Sequence, residues 1–194
     1  MFRTRAGRFA ALVAAGACTA ALAGCDSNPE PAPLPTESAS ASTSTESSSP
    51  TPSATPPTMP AAAKGTSEKS AKAFVRYFVE LVNYAMATGN TKPVETSSAS
   101  QCASCQAVVE NIRGVYAAGG RLEGNGWRVT ALQPVSGQPS SRPIVQAGVF
   151  VSPQQKFSTK TAEPDHFDGG QKLMTFFLQE RSGEWRVTRW DQAQ

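Results

Sequence analysis

The chain has 194 residues, 18 of them basic and 15 acidic, for a formal net charge of +3. Residues 1–24 hold Arg3, Arg5 and Arg8 with no acid, residues 25–63 hold four acids with no base, and the remainder carries 15 basic and 11 acidic side chains. So small an excess excludes the dense basic surface of a nucleic-acid binder. Beyond the first 25 residues no run of ~20 apolar residues offers a transmembrane helix.

The first segment pairs the three arginines with an apolar or small run from Phe9 to Ala23. That run is too short to span a bilayer and reads as the hydrophobic region of an export signal. It ends in Leu22-Ala23-Gly24-Cys25, which resembles the lipobox of bacterial lipoproteins. The resemblance implies that residues 1–24 are removed as a lipoprotein signal peptide. It implies too that Cys25 takes a diacylglycerol thioether and that the chain sits on the extracytoplasmic face of the cell membrane. Two or more acyl chains, such as palmitate, give a stable anchor where a single chain gives a marginal one. An ordinary secretory signal with an incidental cysteine is the alternative.

Residues 25–65 then form a tether. Between Asp26 and Pro60 there are nine Pro, nine Ser and six Thr, with no aromatic residue. Such a composition buries too little apolar surface to offset its ordering entropy, which predicts disorder. Its reach lies between ~35 Å as a coil and ~110 Å extended. Ser and Thr among Pro also permit O-glycosylation of a stalk.

Residues 66–194 carry the folded domain, long enough for one core. Ala71, Phe74, Val75, Phe78, Val82, Ala85 and Met86 recur at helical spacing. They predict an amphipathic helix from about Ser67 to Thr88, capped by Thr66 or Ser67 and stopped by Gly89-Asn90. A short helix or turn is expected near Pro93–Ser98. Another helix runs from about Ala103 to Ala118, ended by Gly119-Gly120. Strand patterns follow at Trp127–Gln133, Ile144–Val151, Leu173–Glu180 and Glu184–Trp190, the last two joined by a tight Ser182-Gly183 turn. The third of these is apolar on both faces in its middle, which predicts a central strand. Residues Gln154–Gly170 read as a loop. Helices first and a meandering antiparallel sheet last predict an α+β domain.

That order, closed by the hairpin Leu-Gln-Glu-Arg-Ser-Gly-Glu-Trp-Arg-Val, resembles the NTF2-like, cystatin-like cone. In it a long N-terminal helix and two shorter ones pack in a curved four-stranded antiparallel sheet. The ordered set Ala-Phe-Val-Arg-Tyr-Phe-Val-Glu-Leu-Val-Asn-Tyr-Ala (73–85), Ala-Thr-Gly-Asn-Thr-Lys-Pro (87–93), Cys-Ala-Ser-Cys (102–105) and Val-Tyr-Ala-Ala-Gly-Gly (115–120) before Gly126-Trp127 is similar to an actinobacterial lipoprotein family of unknown function, domain of unknown function 6318. The resemblance implies place and fold, and no activity comes with it.

Three groups of residues carry chemistry worth weighing. Cys102 and Cys105 meet an oxidising environment after export, so a structural disulfide is expected. A redox pair is the alternative, since a helix N-terminus lowers a thiol pKa, yet no strand of a βαβ unit precedes it. Together with the single His166, two cysteines fall short of a zinc site, and no metal or cofactor is expected. His166 lies among Glu163, Asp165 and Asp168 in what reads as turn chemistry, and a His–Asp pair in a cone pocket is the catalytic alternative. Phe74, Tyr77, Phe78, Trp127, Phe150, Phe176 and Trp190 are either core or the lining of a small apolar pocket. Asn83, near the inward stripe, either needs a buried hydrogen-bond partner or marks the stripe's edge.

The sequence therefore predicts a lipid-anchored, extracytoplasmic module without catalytic residues. It binds an unknown cell-envelope protein or a small apolar ligand, and no nucleic acid. The alternative is an enzyme: a thiol–disulfide oxidoreductase through Cys102/Cys105, or a cone-pocket isomerase or hydrolase involving His166.

Overall fold

A computed structural model describes residues 55–193. Cys25, the signal segment and most of the tether lie outside these residues. Helix α1 (Glu68–Thr88) begins where the pattern places it. Ser67 is the N-cap, its hydroxyl accepting from the Ser70 N–H at 3.1 Å. The helix ends at Gly89, whose φ of 75° is left-handed and whose missing Cβ leaves room for the Tyr116 ring. A Cβ there would stand 2.6 Å from Tyr116 Cγ, so only glycine meets both demands. Helix α2 (Lys92–Thr96) and helix α3 (Ala103–Ala117) follow.

The strands form two sheets rather than the single one expected. Strands β2 (Trp127–Pro134), β3 (Ile144–Val151), β6 (Gly170–Arg181) and β7 (Glu184–Gln192) make an antiparallel sheet in the order β2-β3-β6-β7. Strands β1 (Gly119–Gly124), β4 (Gln154–Thr159) and β5 (Asp165–Phe167) make a second one in the order β1-β4-β5. The reading of Gln154–Gly170 as a loop is thus corrected. Gln154, Gln155, Lys156 and Phe157 are half-buried alike, so no inside-outside alternation marks the strand. Gly119, with φ 76°, follows the Ala118 C-cap of α3 as expected, but Gly119 and Gly120 both already belong to β1. A Cβ on Gly120 would lie inside the Phe157 carbonyl oxygen, so the close pairing with β4 requires glycine.

The larger sheet buries one face against α1. Val145, Ala147 and Val149 on β3, with Met174, Phe176 and Leu178 on β6, are all buried. They meet Phe74, Phe78, Leu81 and Val82 from α1 in one core. As expected, β6 is central. Bulges at Val129/Ala131 and Phe177/Leu178 interrupt the register and bend the strands. The core also begins earlier than residue 66: a 3-10 turn at Ala61–Ala63 precedes α1, and Ala63 is buried.

Polar anchors fasten α1 to both edge strands. Near its start, Ser70 Oγ accepts from the Trp185 indole N–H on β7 at 3.3 Å. Near its end, the Asn83 amide donates to the Trp127 carbonyl and accepts from the Trp127 N–H, each at 2.8 Å. The other edge of β7 is met by the connector between α2 and α3. Ala99 N–H donates to the Val187 carbonyl, and Val187 N–H to the Ser97 carbonyl.

Two phenols sense this packing. Burial raises the pKa of Tyr77 above 10.0, helped by nearby Glu80, and burial likewise raises that of Tyr116. The folded state therefore holds these protons more tightly than the unfolded chain. Their contribution is complete below pH 10.0 and is lost as pH rises through the higher folded values. Urea unfolding midpoints are expected to hold steady from pH 8 to 9 and to fall beyond about pH 10. Replacing Tyr77 with Phe should blunt that fall, and an unchanged pH dependence in that variant counts against the assignment.

Candidate functional site

Helix α3 starts at the cysteine pair. Cys102 is its N-cap, and its sulfur accepts from the Cys105 N–H at 3.2 Å. The two sulfurs are joined in a disulfide, and the residues are 0% and 2% exposed. Between them, Ser104 points its hydroxyl at β7 and accepts from the Trp190 N–H at 3.0 Å. The Cys-Ala-Ser-Cys segment thereby pins the first turn of α3 to an edge strand. Ser104 was not singled out by sequence, because a serine in the first helical turn normally signals only local capping.

His166 lies on β5, exposed, with Gln155 opposite it on β4. Its neighbour Asp165 forms an ion pair with Lys156 at 3.2 Å, and Lys156 also lies over the Phe167 ring. Among the described residues, the His166 ring makes no hydrogen bond or ion pair with the Asp165 or Asp168 carboxylate, and Asp165 pairs with Lys156 instead.

The aromatic candidates divide. Phe74, Phe78 and Phe176 are fully buried, and Tyr77 is nearly so. Phe78 meets Phe176 edge-on at 6.2 Å. Phe176 stacks on Trp190 at 6.3 Å, and Trp190 meets Trp127 edge-on at 5.8 Å. These rings fill the space between α1 and the sheet. Trp127 and Trp190 are half-buried, and the Trp127 indole N–H is buried with no acceptor among the described residues. Phe150 is a correction. It alternates with the buried Val149, so it stands on the opposite face of the sheet, 37% exposed, with Arg128 over its ring at 5.5 Å. A side chain on that face lines nothing under α1. Asn83 finds its partner in the Trp127 main chain, as described above.

A concavity that sequence did not suggest lies at the hairpin end of the larger sheet, with a volume of about 390 Å3. Its floor is Ile144, Phe177, Leu178 and Thr188, around the bulge where β6 meets β7. One wall is the loop between β2 and β3, which contributes Gln138, Arg142 and Pro143. That loop is held on β6 by main-chain bonds from the Leu178 N–H to the Pro143 carbonyl at 3.0 Å and from the Glu180 N–H to the Ser141 carbonyl at 2.8 Å. The other wall is Gln101, from the connector already fixed to β7, and Gln179 stands on the rim. The lining residues come from four separate segments, so no spacing in the sequence could have announced them.

The described residues thus define an α+β domain with an aromatic-filled interior, a stapled helix start and an amide-lined bowl. Residues 42–191 match the model of a family of unknown function, DUF6318, and the chain belongs to that family. No curated protein matches it. Among solved structures it is similar to the intermembrane space region of the chloroplast protein ARC6. That likeness has a TM-score of 0.50 at 9% identity, over 65% of this chain and 95% of that one. An uncharacterized protein with a cystatin-like fold from Caulobacter vibrioides gives 0.43 at 8% identity, over 63% of this chain and 87% of that one. The CamKII hub homology domain of Chlamydamonas reinhardtii gives 0.37 at 16% identity, over 66% of this chain and 98% of that one. At such identities the likeness concerns the fold alone.

Proposed function

We propose that this protein is an exported lipoprotein, anchored through Cys25 on the extracytoplasmic face of the cell membrane, whose NTF2-like domain works by binding rather than by catalysis. The observation that carries the reading is the buried Cys102–Cys105 disulfide. A cross-link of this kind persists in oxidising compartments and is rare in reducing ones, which agrees with the Leu22-Ala23-Gly24-Cys25 segment. Its burial also argues against the oxidoreductase alternative, because thiol exchange needs an accessible sulfur. The isomerase or hydrolase alternative has no support from His166, which stands in the open on β5. What remains for partners is the surface: the bowl, and the outer sheet face where Phe150 and Leu173 are exposed.

The test is placement. Cells expressing the full chain and fed an alkyne analogue of palmitate should label it, and the labelled protein should pellet with membranes. Cys25→Ser should remove the label and release the protein from the pellet. An unlabelled wild-type protein, or a Cys25→Ser protein that keeps the label, overturns the anchor.

A further inference from the structure

The bowl beside the β6–β7 bulge is lined by more polar than apolar side chains, and that chemistry narrows the ligand. Its size, about 390 Å3, falls within the roughly 300–1,000 Å3 of small-molecule sites. Its polar side chains are Gln101, Gln138, Gln179, Arg142 and Thr188, with no carboxylate among them. Each glutamine amide presents two donors and one acceptor, and the guanidinium presents five donors. Gln138, Gln179 and the Arg142 guanidinium have no side-chain bond to another described residue, so this capacity faces solvent. The Thr188 hydroxyl donates to the Phe177 carbonyl at 3.0 Å, which leaves its lone pairs to accept. The Phe177 ring forms part of the floor and is backed by the Arg189 guanidinium at 3.9 Å.

Three features of this set point the same way. Groups that both donate and accept complement hydroxyls, which do the same. A single unpaired guanidinium matches one carboxylate. Strand addition by a peptide is closed off, because β6 is flanked by β3 and β7, and the free side of β7 at Val187 is already bonded to Ser97 and Ala99. The ligand is therefore read by side chains. The main chain of both walls is held by hydrogen bonds to the sheet, so ordering on binding is confined to the side chains. We infer that the bowl binds a sugar bearing one carboxylate, with Arg142 on the carboxylate and the three glutamines on the hydroxyls. This rests on the reading of the domain as a binding module, and it names the ligand class for that module.

The test uses the full-length chain carrying Cys25→Ser, labelled with nitrogen-15 and titrated in NMR with D-glucuronic acid. The side-chain amide signals of the three glutamines and the backbone signals of residues 138–144 and 177–180 should shift together, with half-saturation near 1–10 mM. Arg142→Ala should weaken this by about tenfold or more, and glucose should bind wild type correspondingly less well. Arg142 is exposed, so the variant should keep the rest of its spectrum. Three results overturn the proposal: no shift up to about 50 mM glucuronate, equal shifts from acetate alone, or tighter binding of N-acetyl-alanyl-alanine than of glucuronate. None of them touches the membrane anchor, and a failed palmitate label leaves the titration unaffected.

Discussion

Phe176→Ala should cost about 3–5 kcal/mol, a large share of the roughly 5–15 kcal/mol that stabilises a domain. Phe176 is 1% exposed and sits between the edge of Phe78 and the face of Trp190, so its removal opens a void that neither α1 nor β7 can close without shifting. Phe150→Ala deletes the same group from the other side of the same sheet. There the ring loses only solvent-exposed packing and the Arg128 contact, and the cost should stay below about 1 kcal/mol. Urea unfolding of the two variants side by side checks the assignment of faces. Comparable losses would show that Phe176 is not packed as described.

Asn83→Ala should cost about 2–3 kcal/mol for a different reason. It deletes no large volume, but it strips both main-chain groups of Trp127 of their partner at a half-buried position. Asn83→Asp separates the two halves of the clamp. The carboxylate still accepts from the Trp127 N–H but has no proton for the carbonyl and sets its charge beside that oxygen. It should therefore fail to restore stability. A urea midpoint for Asn83→Ala within about 0.5 kcal/mol of wild type would show that water replaces the amide without penalty.

How far the sequence spoke for the structure depends on how each element is held. Helix α1 was legible because its burial is periodic and its ends are chemically marked by Ser67 and Gly89. Strands β2, β3, β6 and β7 were legible as strands, but their facing was not. In Ile144–Val151 both Val149 and Phe150 are large and apolar, and only the observed register shows which one turns inward. Strands β1, β4 and β5 escaped because no inside-outside alternation marks them: β1 offers only Leu122 to the core, β4 is half-buried alike from Gln154 to Phe157, and β5 is exposed throughout. The cysteine pair was readable from its spacing and its place before a helix. The bowl was not, since Gln101, Gln138, Arg142 and Gln179 meet only after the chain has folded. Asn83 stood between: its position raised the question of a partner, and only the fold supplied Trp127.

The two polar anchors of α1 carry a mechanical meaning when taken as a pair. Ser70 and Asn83 are thirteen residues apart on one rigid rod, roughly 20 Å along its axis. One grips β7 and the other grips β2, the two outermost strands of a sheet whose width across four strands is roughly 14 Å. The helix thus works as a diagonal crossbar that gauges the sheet from margin to margin. Any splaying of the margins must first tear one of these grips, which makes the spacing of the strands a property of the helix as much as of the ladder between them.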